Sequence, residues 1–133
     1  MTPSPGLAPA PFNSPWPPLR SAADVESAIH THRLACIFFT APWCFRCQQV
    51  KPKIADFPYD FPAVRFFSVD VEAVDIDLIR GNISEISVLP TFILFHNGLE
   101  VHRLEGVPQH RPARELARAL RAHLSLASSG GRG

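Results

Sequence analysis

Cys44 and Cys47 stand three residues apart, between an apolar run over residues 34–39 and a segment over residues 48–51 that suits a helix. Cysteines at that spacing fall on neighbouring positions of one helical turn, close enough to close a small disulfide ring. At the N-terminus of a helix, unpaired backbone N–H groups and the helix dipole stabilise a thiolate on the first of them. The thiolate is the nucleophile of disulfide exchange, so this placement turns an inert thiol into a reactive one. A Cys-x-x-Cys at a strand-to-helix junction therefore reads as a redox motif. The competing reading is a buried pair or half of a zinc site. Zinc usually wants four ligands, and the chain has no second Cys-x-x-Cys and six histidines without ligand spacing. No metal is expected.

The residues around the pair resemble the thioredoxin-like family. Ala41-Pro42-Trp43-Cys44-x-x-Cys47 is similar to the active-site loop of thioredoxins. Val88-Leu89-Pro90-Thr91-Phe92-Ile93-Leu94-Phe95-His96-Asn97-Gly98 resembles the cis-proline strand and hairpin. Glu105-Gly106 matches the glycine that closes the substrate groove. The resemblance covers residues 21–125. It implies an α/β thioredoxin fold: a central mixed sheet of four or five strands, helices on both faces, and the active site at the start of the second helix. It also implies a thiol–disulfide oxidoreductase in which Cys44 attacks substrate disulfides and Cys47 resolves the mixed disulfide. Trp43, Phe45, Arg46, Leu89, Pro90 and Gly106 form the expected substrate-binding set, with Pro90 in cis and the Leu89 backbone pairing with an extended substrate segment. No cofactor is expected beyond the reversible Cys44–Cys47 disulfide. The expected partners are disulfide-containing proteins and a reductase or low-molecular-weight thiol as electron donor. Two readings from other classes stand beside this one: an interaction module with little turnover, and a redox sensor whose bridge alters partner affinity.

The chain departs from thioredoxin at two places. Phe45-Arg46 replaces the usual Gly-Pro pair. The positive charge of Arg46 beside the Cys44 thiolate should lower its pKa, stabilise the reduced form and make the couple more oxidising. Phe38 and Phe66 replace the buried aspartate and its lysine partner. Losing both is self-consistent, because a lone buried charge is costly. It also removes the group that helps deprotonate the second cysteine, so Cys47 should resolve mixed disulfides more slowly.

Composition fits this reading. The chain has 133 residues, 46% apolar and 19% charged, enough for one domain with a real core. A net charge of +1 argues against nucleic acid as a partner, and no apolar run approaches the ~20 residues of a membrane span. Three cysteines leave no even-numbered framework of structural bridges. A cytoplasmic monomer is expected, with organelle targeting by the N-terminal leader left open.

Half of the 14 prolines fall in the first 18 residues, so residues 1–20 read as a Pro-rich disordered leader, residues 21–126 as the domain and residues 127–133 as a flexible tail. Any strand near residues 16–19 would be short and on an edge. Ser21 should cap a first helix buried through Val25 and Ile29. Residues 34–40 read as a strand covered on both faces, with Cys36 packed as a small apolar residue. Residues 44–57 read as a helix containing Pro52, residues 58–62 as a turn and residues 64–70 as a parallel strand. Residues 73–81 read as a short acidic helix with Val74, Leu78 and Ile79 inward. Excess length relative to the family falls around residues 81–87. Strands over residues 91–96 and 100–104 flank an Asn97-Gly98 turn, with His96 and His102 exposed. Pro112 opens a final helix with Leu116, Leu120 and Leu124 inward and Arg114, Arg118 and Arg121 outward.

Overall fold

Residues 16–79, 85–106 and 112–132 are described by the computed structural model. In chain order they form β1 (Pro18–Leu19), α1 (Ala22–Thr31), β2 (Leu34–Thr40), α2 (Phe45–Ile54), α3 (Phe57–Asp60) and β3 (Arg65–Asp70). A 3-10 turn (Ile76–Ile79), β4 (Thr91–His96), β5 (Leu99–Glu105) and α4 (Pro112–Arg132) follow. The strands make one mixed sheet in the order β1-β3-β2-β4-β5. β1, β3 and β2 run parallel, while β4 runs antiparallel to β2, and β5 to β4.

β2 is buried at every position, which explains its unbroken apolar sequence: a central strand covered on both faces has no side to leave polar. Leu34, Cys36 and Phe38 join a core with Val50 and Ile54 of α2 and Leu116 and Leu120 of α4. Ile37 and Phe39 join a second core with Val25 and Ile29 of α1. Ser21 caps α1 as expected, its hydroxyl oxygen accepting the Asp24 N–H at 3.1 Å. Asn97 and Gly98 both take positive φ, 53° and 86°, as a two-residue hairpin turn requires. A Cβ on Gly98 would also meet His30 Nδ1 at 2.7 Å, so the exposed His30 side chain would have to turn aside.

Several expectations are corrected. Trp16 is fully buried, and its indole N–H donates to the Ile54 carbonyl at 3.0 Å. Residues 16–19 thus belong with the packed domain, with β1 the short edge strand expected there; residues 1–15 lie outside the described residues. α4 runs to Arg132 through the segment expected as a tail, since no proline follows Pro112 to interrupt propagation. The long second helix is two: α2 stops at Ile54, and the expected turn after it opens with the single helical turn α3. The acidic helix is a 3-10 turn, in which residues three apart share a side. Ile79 is therefore buried, whereas Leu78, expected inward, is 67% exposed. Of residues 81–87, where extra length is expected, residues 81–84 lie outside the described residues. Among the described residues, no helix is long and apolar enough to cross a membrane.

Candidate active site

The end of β2 delivers the chain to the site. Past Thr40 the backbone turns, with the Cys44 N–H donating to the Ala41 carbonyl at 3.1 Å, and enters α2. Cys44 is the N-cap of α2, and its Sγ accepts the Cys47 N–H at 3.1 Å. This is the arrangement that the spacing predicted: the first sulfur sits where helix N–H groups converge. Cys44 and Cys47 are joined in a disulfide. Cys44 keeps 5% of its surface exposed and Cys47 none, so attack from outside must come through Cys44.

Pairing brings the remaining site residues to the same end of the sheet. Phe39 stands opposite Thr91, which sets Pro90 beside the exit of β2. The Leu89–Pro90 peptide is cis. Pro90 is buried and Leu89 half-buried. The Gly106 N–H donates to the Pro90 carbonyl at 2.8 Å, closing β5 over the proline. Gly106 has φ +67° and lies against Val88, which a Cβ would meet at 3.4 Å. Trp43 and Phe45 stand 67% and 73% exposed on either side of Cys44, and Val88 is exposed at the same rim. Arg46 is exposed and makes no hydrogen bond, ion pair or ring contact among the described residues.

Glu72 is a site residue that sequence reasoning passed over. Its carboxylate accepts the Trp43 indole N–H at 2.9 Å, which fixes the orientation of an otherwise free ring. Nothing local to Glu72 signals this, because an acid just past a strand reads as a solvated turn residue. Lys51 donates to the Gln48 side chain at 3.2 Å. Its pKa is lowered by partial burial, an effect that the carboxylate of Asp70 opposes.

Behind the cysteines lies an aromatic cluster. Phe38 stacks on Phe92 with centroids 4.8 Å apart and planes 10° from parallel. Trp16 packs edge-on to Phe38 and lies 4.7 Å from Phe66. The two positions read from the sequence as a lost charged pair are thus filled by rings, not by voids. Cys36 is buried and free, and burial pushes its thiol far above the ordinary range, so it stays protonated and inert. His96 is only half-buried, not exposed, because its Nδ1 faces His123 Nε2 at 3.3 Å; His102 is exposed as expected. Among the described residues, no three metal-ligating side chains come together.

Comparison with known proteins agrees with this geometry. The family model described as Thioredoxin matches residues 19–122. Thioredoxin-1 of Saccharomyces cerevisiae is 34% identical over 87 residues, covering 65% of this chain and 82% of that protein. The X-ray structure of Fasciola hepatica thioredoxin superposes with a TM-score of 0.63 at 30% identity, over 77% of this chain and 97% of that one. Oxidised mitochondrial thioredoxin 3 of Saccharomyces cerevisiae has a TM-score of 0.68 over 80% of this chain and 94% of that one, and at 23% identity it speaks to the fold alone.

Proposed function

Because the chain belongs to the thioredoxin family and is a protein-disulfide oxidoreductase, we propose that its chemistry runs through Cys44 as nucleophile and Cys47 as resolving thiol. The observation that carries this is the Cys44–Cys47 disulfide at the start of α2, beside the cis Leu89–Pro90 peptide. In the reduced protein the Cys44 thiolate attacks a substrate disulfide. One substrate sulfur leaves as thiolate, and a mixed disulfide forms. Cys47 loses its proton and attacks Cys44 Sγ, releasing the second substrate sulfur. Two electrons pass to the substrate, the Cys44–Cys47 bridge is restored, and an external dithiol or reductase must reduce it again.

Trp43, Phe45, Arg46, Leu89, Pro90 and Gly106 are the proposed substrate-binding residues. A substrate strand laid along Leu89 would pair with its backbone, and Gly106 leaves room for the approach. With Phe38 and Phe66 in place of ionisable groups, water or another base has to take the Cys47 proton, and resolution should be slower. We place the protein in a reducing compartment, the cytoplasm, as a monomer acting on protein disulfides.

Insulin reduction by dithiothreitol tests the reading. Wild type should accelerate it and Cys44→Ser should not. If both match the protein-free rate, the Cys44 pair does not turn over on a general substrate. The aromatic cluster behind Cys47 favours one alternative in that event: a redox-sensing interaction module, recognised by partner binding that changes on reduction.

A further inference from the structure

Phe45 and Arg46, the two residues inside the disulfide ring, contribute little to the fold. Phe45 is 73% exposed on the first turn of a helix whose buried residues are Cys47, Val50 and Ile54. Arg46 is exposed with no partner among the described residues. Phe45 thus leaves a large apolar ring in water, as do Trp43 before Cys44 and Val88 before the cis-proline, and exposed apolar surface at a site is the kind that marks binding.

The charges around that rim are unequally engaged. The Glu72 carboxylate is held by the Trp43 indole. Lys51 is turned to Gln48, with Asp70 as its electrostatic partner. Arg46 alone of these is unengaged, and it stands two residues from the attacking sulfur. Once Cys44 is joined to a substrate sulfur, the residues flanking that substrate cysteine come close to the first turn of α2, which carries Arg46 two residues after Cys44. A guanidinium matches a carboxylate in geometry as well as charge.

We infer that Phe45 and Arg46 select the substrate: the enzyme prefers disulfides whose reactive cysteine is flanked by an acidic residue, with an apolar neighbour seated on Phe45. This rests on the oxidoreductase reading and goes beyond it, because the sulfur exchange itself is indifferent to the flanking charge. Arg46 is here a specificity-determining residue. Its effect on the Cys44 thiolate would change the rates of all substrates together, whereas selection changes them relative to one another.

The experiment uses the full chain and three peptides with the same disulfide, differing only in Glu, Gln or Lys beside the attacked cysteine. Wild type should reduce the Glu peptide roughly three- to fivefold faster in kcat/KM than the Gln peptide, the scale of one exposed ion pair, and the Lys peptide more slowly still. Arg46→Glu should reverse the order, and high salt should flatten it in both proteins. Phe45→Ala should erase any advantage of Leu over Ser at the next position. Equal rates for the three peptides, or one common fall in Arg46→Glu with the order kept, would overturn the inference. If no peptide is reduced, and insulin is not either, the oxidoreductase reading fails instead. Both side chains are exposed, so the variants should fold, and far-ultraviolet circular dichroism verifies it.

Discussion

Arg46 carries a permanent charge on the first turn of α2, close to a sulfur that must hold negative charge whenever the protein is reduced. An exposed charge is screened, so its effect is modest. Replacing it by glycine should lower the reduction potential by about 5–20 mV, the scale of one weak electrostatic interaction in a two-electron couple. Equilibration with glutathione buffers measures this; an unchanged potential would mean that the guanidinium points away from the sulfur. Other residues were legible in very different degrees. Cys44 and Cys47 could be read directly, because their chemistry is tied to residue type and spacing, whereas the cis bond at Pro90 came only with the family resemblance. Glu72 could not, because its tie to Trp43 spans 29 positions and depends on how β3 ends beside the α2 entrance. Leu78 is exposed because the chain makes a 3-10 turn where an α-helical period would point it inward.

At the level of elements, the sheet and its helices follow from local pattern, whereas their fastenings do not. β2 announced itself by a run apolar on both faces, and the β4–β5 hairpin by Asn97-Gly98. What holds β5 is less visible: Arg103 pairs with Glu100 and Glu105 and donates to the Glu85 carbonyl, tying the segment that leads to the cis-proline onto the edge strand. α4 meets the hairpin through His123. Its pKa is lowered below 6.5, first by burial and then by the facing charges of His96 on β4 and His102 on β5. The unfolded chain takes up this proton near the ordinary value, the folded chain only at lower pH. The unfolded state therefore binds more protons in that window, and stability is full above about pH 6.5 and falls as pH drops towards the folded value. Thermal melts from pH 8 to 5 should show that decline in wild type and a shallower one in His123→Gln. Parallel curves for the two proteins would remove His123 from the account.

Over the whole molecule, one core is closed by a residue that composition had assigned to a leader. Trp16 meets Phe38, Phe57, Phe66 and Phe92, and its indole caps a carbonyl at the far end of the redox helix. Proline density around it made residues 1–20 look solvated, and nothing in the local sequence reveals that the ring fills the space beside Phe38 and Phe66. Trp16→Ala should cost about 3–5 kcal/mol, as truncation of a large buried ring does. That is a large part of the 5–15 kcal/mol typical of a domain, and denaturant titration would read it as a lower midpoint. A loss under about 1 kcal/mol would mean that the cluster closes without the ring. The two tryptophans also divide the protein's fluorescence. Trp16 is sealed and hydrogen-bonded to backbone, so its emission is that of a dry indole until the whole domain opens. Trp43 is wet and stands beside the disulfide, open to quenchers and to any docked substrate. The molecule thus carries two separate optical signals, one for folding and one for events at its active site.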